Sequence, residues 1–190
     1  NMKWQLDPMH TSVTFQVRHM SFFTITGSFS GVSGSVETND QNFPTHILIE
    51  IDVNTISTNS DPRDTHLKSA EFFDAAKFPK LIFSSNQIQA KPVAYNLIDL
   101  LTGKRNPVKY IARGQLNMHG ISQTIDLEFE IPSPPVKDLW QATRIGAIGE
   151  TVIDRTKWGM NWNQAVPSLN NALLVSHAVK ISFSTQLTLV

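Results

Sequence analysis

"DPMHTSVTFQVRH" occupies Asp7–His19 and holds an acid, two histidines and hydroxyl side chains in one short stretch. From Ser12 to His19 the residues alternate strictly. Val13, Phe15 and Val17 fall on one face, and Thr14, Gln16 and Arg18 on the other. A period of two is the mark of a half-buried strand. Each residue of a strand advances about 3.3 Å, so His10 and His19 lie on the order of 30 Å apart along it. They cannot share a metal ion or serve one triad. Asp7 and Thr11 flank His10 and are expected to organise a local turn, because Asp and Thr side chains bond nearby backbone groups. His19 continues the inward parity of Val13, Phe15 and Val17. Three readings stand for it: a hydrogen-bonded histidine ending an apolar stripe, a polar contact for a ligand, or a catalytic base.

The same alternation recurs along the chain. Ile47, Ile49, Ile51 and Val53 share one face, as do Ile125, Leu127, Phe129 and Ile131, and again Val179, Ile181, Phe183, Thr185 and Leu187. Less regular strand candidates are 27–37, 80–88, 110–118 and 143–154. Turn-forming stretches such as "ETND", "NMHGIS" and "PSPP" separate them. About eight strands with one apolar face each, and little helix, point to an all-β sandwich or closed barrel.

Two segments depart from this period. In "SDPRDTHLKSAEFFDAAKFP", 60–79, Asp61 followed by Pro62 reads as an N-cap with proline at the first helical position. Leu67, Ala70 and Phe73 then recur near helical spacing, so a short helix over about 62–71 is expected. It is read as a cap on one end of the fold, or as a lid that turns Leu67, Phe72 and Phe73 inward. The long connection Gln89–Tyr110 is too apolar in "AYNLIDLL" for a plain linker. A second short helix or a flap is expected there, followed by the basic turn "TGKRNP". No domain boundary is visible, and residues 1–190 read as a single domain.

Composition removes several classes of function. The 190 residues carry no formal net charge and no cysteine. Disulfides, thiolate catalysis and cysteine-based zinc sites are therefore absent, and nothing suggests a nucleic-acid partner. No stretch approaches the ~20 apolar residues of a membrane-spanning helix. "GVSGS" at 31–35 lacks the final glycine of a nucleophile elbow. His46, His66, His119 and His177 show no ligand spacing, and the "KWGMNWNQ" tryptophans read as packing. Asn1 before Met2 reads as a residue left from a tag, which places the protein in the cytoplasm. A removed signal peptide would place it in the periplasm or outside the cell.

Five stretches in order along the chain resemble the YceI-like family, the polyisoprenoid-binding or lipid-binding YceI-like domain. "WQLDPMHTSVTFQVRHM" is similar to the family's opening, with Asp7, His10 and His19 in place. "TGSFSGVSGSV" carries Gly27, Phe29 and Gly34. The segment from Ile56 to Ser85 carries Arg63, Asp64, His66, Leu67, Phe72, Phe73, Pro79, Phe83 and Ser85. "YIARGQLNMHGIS" has Asn117 where the pattern has threonine, and "IDRTKWGMNW" has Trp158 at the aromatic position. The Gln89–Tyr110 connection is longer than the family pattern.

The resemblance implies an antiparallel eight-stranded barrel, lipocalin-like in shape but without the G-x-W signature, with the short helix near one end. It implies a cavity for a long-chain lipid: a polyisoprenoid, an isoprenoid quinone, or a fatty acid or amide. The expected role is carriage, storage or scavenging without catalysis or cofactor, and a homodimer is an open expectation. The expected wall is Val13, Phe15, Val17, His19, Phe29, Ile49, Ile51, Leu67, Phe72, Phe73, Phe83, Ser85, Leu116, Phe129, Ile181 and Phe183. His19, Ser85 or Arg155 would orient a headgroup. Arg63 and Arg155 are expected instead to pair with Asp64 and Asp154 for structure. Two other functions remain: a lipid-modifying enzyme with His19 as base, and a filled barrel that acts through protein partners.

Overall fold

The computed structural model describes residues 1–92, 97–102 and 107–190. In chain order the elements are β1 (Met2–His19), β2 (Phe23–Phe29), β3 (Val32–Thr38), β4 (Pro44–Asp52), β5 (Ile56–Ser57), α1 (Asp61–Lys68), β6 (Lys80–Lys91), α2 (Leu97–Thr102), β7 (Val108–Met118), β8 (Ile121–Ile131), β9 (Val136–Lys137), β10 (Thr143–Asp154), β11 (Ala165–Val166), β12 (Ala172–Leu173) and β13 (Val175–Leu189). Neighbouring strands pair antiparallel in the order β1–β3–β4–β6–β7–β8–β10–β13, and β13 returns to β1. The eight long strands thus form the closed antiparallel barrel expected from the alternation.

The candidate strand 27–37 is two strands. β2 and β3 both pair with β1, one along each half of it. They break at Ser30–Gly31, where the Gly31 N–H donates to Thr55 Oγ1 at 2.9 Å. Gly27 is required where it stands, because a Cβ there would meet the Phe15 ring at 2.2 Å.

β1 bends where "DPMH" lies. Between Leu6↔Leu187 and Thr11↔Thr185, β1 advances five residues while β13 advances two. The surplus forms an outward bulge. The Asp7 carboxylate accepts from the Met9 N–H at 3.0 Å, and the Thr11 hydroxyl donates to the Asp7 carbonyl at 2.7 Å. This is the local turn expected from Asp7 and Thr11. Arg144 on β10 braces it, donating to Asp7 at 2.7 Å and to Asp138 at 2.6 Å. His10 also bonds Asp7, at 2.8 Å.

The helix is shorter than expected and begins one residue earlier. Ser60 is the cap residue, Asp61 and Pro62 lie in the first turn, and the helix ends at Lys68 rather than near 71. The Ser69 hydroxyl turns back onto the His66 carbonyl at 2.7 Å. The Phe73 N–H closes onto the Leu67 carbonyl at 3.0 Å. These bonds reverse the chain and bring Phe72 and Phe73 under the helix.

Arg63 and Asp64 do not pair with each other; both converge on Thr58. Asp64 accepts from the Thr58 N–H at 2.8 Å and from its hydroxyl, and Arg63 donates to the Thr58 hydroxyl and carbonyl at 2.7 and 2.8 Å. The second short helix expected in the Gln89–Tyr110 connection is α2. The flanking residues 93–96 and 103–106, with most of the "TGKRNP" turn, lie outside the described residues.

The Arg144 brace makes stability depend on pH. Arg144 first, and then His10, pull the Asp7 carboxyl down from 3.8 to about 2. The unfolded chain therefore binds the extra proton between those values, and stability rises with pH across that window. The stabilisation is complete above the ordinary value and is lost as pH falls through the folded one. Asp7→Asn should melt below the parent at neutral pH and lose part of the fall in stability across this acid window, the remainder coming from Asp138 and Asp154, whose carboxyls are also held below the ordinary value. An unchanged acid limb would show that the bulge is held by something else.

Candidate functional site

The inward faces of the strands enclose two adjoining apolar cavities. The larger has about 1170 Å³ of atom-free space, adjoining open solvent included, and lies toward α1. The smaller, about 740 Å³, lies toward the chain termini. Val13, Ile49, Leu127 and Phe183 border both and form a waist between them.

Each end of this interior is capped. At the end near the termini Trp4 is 1% exposed and donates its indole N–H to Thr38 Oγ1 at 3.0 Å. At the other end Phe72 lies under α1, edge-on to His66 and against Trp162. Met160 is buried beside this cap and lines the larger cavity. Trp158 is buried as packing, its indole N–H bonded to the Leu116 carbonyl at 3.0 Å.

Most of the expected wall residues meet at this interior. Val13, Phe15, Val17, Phe29, Ile49, Ile51, Leu67, Phe72, Phe73, Phe83, Leu116, Ile181 and Phe183 line the larger cavity, and Phe129 lines the smaller. Period-two parity finds the strand residues among them because barrel strands place every second side chain inside, while Leu67, Phe72 and Phe73 come from α1 and the turn after it.

Two expected wall residues lie elsewhere. His19 shares the parity, but the register against β13 shifts between Val17↔Val179 and His19↔Val175. It ends its strand beside Met20 and Ser21, both at positive φ, and lines neither cavity. Ser85 is 3% exposed but sits at a bulge of β6. Its hydroxyl donates to the Arg113 carbonyl at 2.7 Å and accepts from the Gln87 N–H at 3.2 Å.

Other wall residues were not singled out in the sequence. Leu81, Ile125, Leu127 and Ile153 follow the same parity and were within reach of it. Met118, Met160 and Val175 sit at strand ends or in the connection after β10, where alternation carries no signal.

Every polar side chain in the wall already holds a hydrogen bond within the protein. Thr11 and Thr185 bond each other at 2.6 Å, and Thr38 accepts from Trp4. The Thr151 hydroxyl donates to the Asp126 carbonyl at 2.9 Å. Arg155 is 4% exposed, and its expected pairing with Asp154 does not form. Its guanidinium donates to the carbonyls of Ser176, Met160 and Val175, while Asp154 caps the Thr156 N–H. Arg155 also lies over the Phe72 ring, 5.8 Å from its centroid. Burial lowers its pKa from the ordinary arginine value. The backbone after Asp154 turns in a short 3-10 helix, which aims the guanidinium at these carbonyls.

These features define a class: a closed eight-stranded barrel with a hollow, apolar interior and no cluster of metal-ligating residues among those described. The chain belongs to the YceI-like domain family, whose pattern matches residues 4–187. It is 29% identical over 186 residues to the UPF0312 protein SAB2563 of Staphylococcus aureus strain bovine RF122 / ET3-1, covering 96% of this chain and 95% of that one. The fold is shared with Burkholderia cenocepacia BcnA, at TM-score 0.71 and 17% identity over 95% of this chain and 98% of that one. It is also shared with a polyisoprenoid binding domain from Saccharophagus degradans implicated in plant cell wall breakdown. That match has TM-score 0.68 and 17% identity, with full coverage of both chains.

Replacing Arg155 by Met would leave three carbonyls without their donor, that of Met160 buried and those of Ser176 and Val175 partly so. A loss of about 3 kcal/mol in denaturant unfolding is expected, from roughly 1 kcal/mol per unmade bond. A variant as stable as the parent would show that water replaces the guanidinium.

Proposed function

We propose that this protein holds one long-chain apolar molecule inside its barrel and acts as a carrier, store or scavenger without turning it over. The supporting observation is the wall itself, apolar throughout and with each polar side chain already bonded within the protein. A polar ligand would lose its hydration there and find no partner in return. An apolar chain loses nothing. Each buried methylene contributes roughly 0.8 kcal/mol, so a chain of ~20 carbons gains on the order of 10 kcal/mol before entropy costs.

The ligand class that fits is a polyisoprenoid, an isoprenoid quinone, or a fatty acid or amide. The name of the Saccharophagus relative, a polyisoprenoid binding domain, points the same way. Arg155 is engaged by carbonyls and Phe72, so it is not the anchor for the ligand's polar end. His19 lies outside the cavity wall, so the geometry offers a lipid-modifying reaction no histidine base at the ligand.

Mass spectrometry of an organic extract, beside a native spectrum of the intact protein, should find one long-chain species per chain. A protein that flies bare and takes up no geranylgeraniol when it is offered would overturn the proposal and favour a filled barrel that acts through partners. Val13→Phe inserts a ring at the waist. It should weaken geranylgeraniol binding at least tenfold, at a folding cost of about 1–3 kcal/mol.

A further inference from the structure

The barrel wall is held unevenly. β10 pairs with β13 at eleven consecutive positions, Arg144–Asp154. On its other edge it pairs with β8 at three: Ile148↔Glu130, Gly149↔Phe129 and Glu150↔Glu128. The two backbones approach closely at Gly149, where a Cβ would lie 2.4 Å from the Glu128 carbonyl oxygen. Past Glu150 both strands continue, β10 to Asp154 and β8 back to Ile121, with no ladder between them.

Two side chains span this gap at the surface. The Thr151 hydroxyl donates to the Asp126 carbonyl at 2.9 Å, and the Gln123 amide donates to the Lys157 carbonyl at 3.0 Å. Directly behind it, Ile125, Leu127, Thr151 and Ile153 form part of the larger cavity's wall.

The rest of that cavity is shut more firmly. The α1 segment is pinned through Thr58 by both Arg63 and Asp64, and Phe72 is wedged against His66, Trp162 and Arg155. A molecule leaving under α1 must undo buried bonds and aromatic packing. One leaving between β8 and β10 must undo two exposed side-chain bonds. Openings follow the least stable contacts.

We propose that the β8–β10 seam beyond Glu150 is the portal through which an apolar ligand enters and leaves the larger cavity. This rests on the proposed function and adds the route to it. Asp126 and Val152 face outward across the gap, and the chain has no cysteine of its own.

The test is the exchange rate of geranylgeraniol, followed by tryptophan fluorescence in the full-length protein. Asp126→Cys/Val152→Cys, stapled with a short bifunctional thiol cross-linker, should slow uptake and release at least about tenfold while leaving the equilibrium affinity near that of the parent. Gln123→Ala removes one strut without touching the cavity wall and should speed exchange by about threefold or more. A staple across the fully paired β7–β8 seam, Gln115→Cys/Thr124→Cys, should change nothing.

The staple Ser28→Cys/Ser57→Cys pins the α1 side of the barrel. If that staple slows exchange and the β8–β10 staple does not, α1 is the gate and the portal assignment is wrong. Unaltered rates in both the stapled seam and Gln123→Ala would also overturn it. A parent protein that takes up no geranylgeraniol would fail the proposed function itself, an outcome separable from a misplaced portal.

Discussion

The seam between β1 and β13 closes the barrel, and the interior exists only because that seam holds. It joins the first long strand to the last, so it forms only when the whole chain has come round. Its register is interrupted by the three surplus residues of the Asp7–His10 bulge. An unsupported bulge would let β1 slip, and a slip of one residue turns every inward side chain out. Arg144 prevents this by reaching across from β10, the strand beyond β13, to hold Asp7 while it also holds Asp138. A partly buried cation between two carboxylates, each bonded as well to turn amides, is a geometric lock. Val13, Phe15 and Val17 reach the interior because the strand beyond the bulge is locked in phase.

Closure also explains the polar groups that remain inside. Threonine and arginine side chains in the wall serve backbone groups and each other, because in a dry interior an unpaired polar atom is costly. Arg155 shows this best. It ties the 3-10 turn after β10 to the start of β13 through carbonyls, and it lies over the Phe72 ring at the cap. A buried cation bonded to carbonyls rather than to a carboxylate keeps the cap together and leaves the cavity surface apolar. The apolar surface of the cavity thus follows from how the ends of the barrel are fastened.

The same wall has graded strength. Long ladders hold β13 to β10 and β7 to β8, while β8 and β10 share three pairs. In the proposed role the barrel must be closed enough to exclude water and open enough to exchange its cargo. Those demands are compatible when one seam is weaker than the caps.

Much of the barrel was legible in the sequence. Period-two alternation from Ser12 to His19, Ile47 to Ile51, Ile125 to Ile131 and Val179 to Leu187 determined the strands and which of their residues face inward, because a strand's pleat leaves its side chains two choices. The turn at Asp7 and Thr11 was legible as well, because two of its bonds, Met9 N–H to the Asp7 carboxylate and the Thr11 hydroxyl to the Asp7 carbonyl, run between near neighbours. Tertiary structure decided what depends on register and on distant partners. His19 and Ser85 keep the inward parity yet leave the wall, since strand irregularities beside them redirect the chain. Arg63 and Arg155 chose backbone and hydroxyl partners over the carboxylates adjacent in sequence, and Asp64 chose the Thr58 amide and hydroxyl over Arg63. The helix stopped at Lys68 because Phe72 and Phe73 had a cavity to enter. Alternation is a property of one strand; closure, bulge phase and the choice of hydrogen-bond partner belong to strands that meet only in the folded chain.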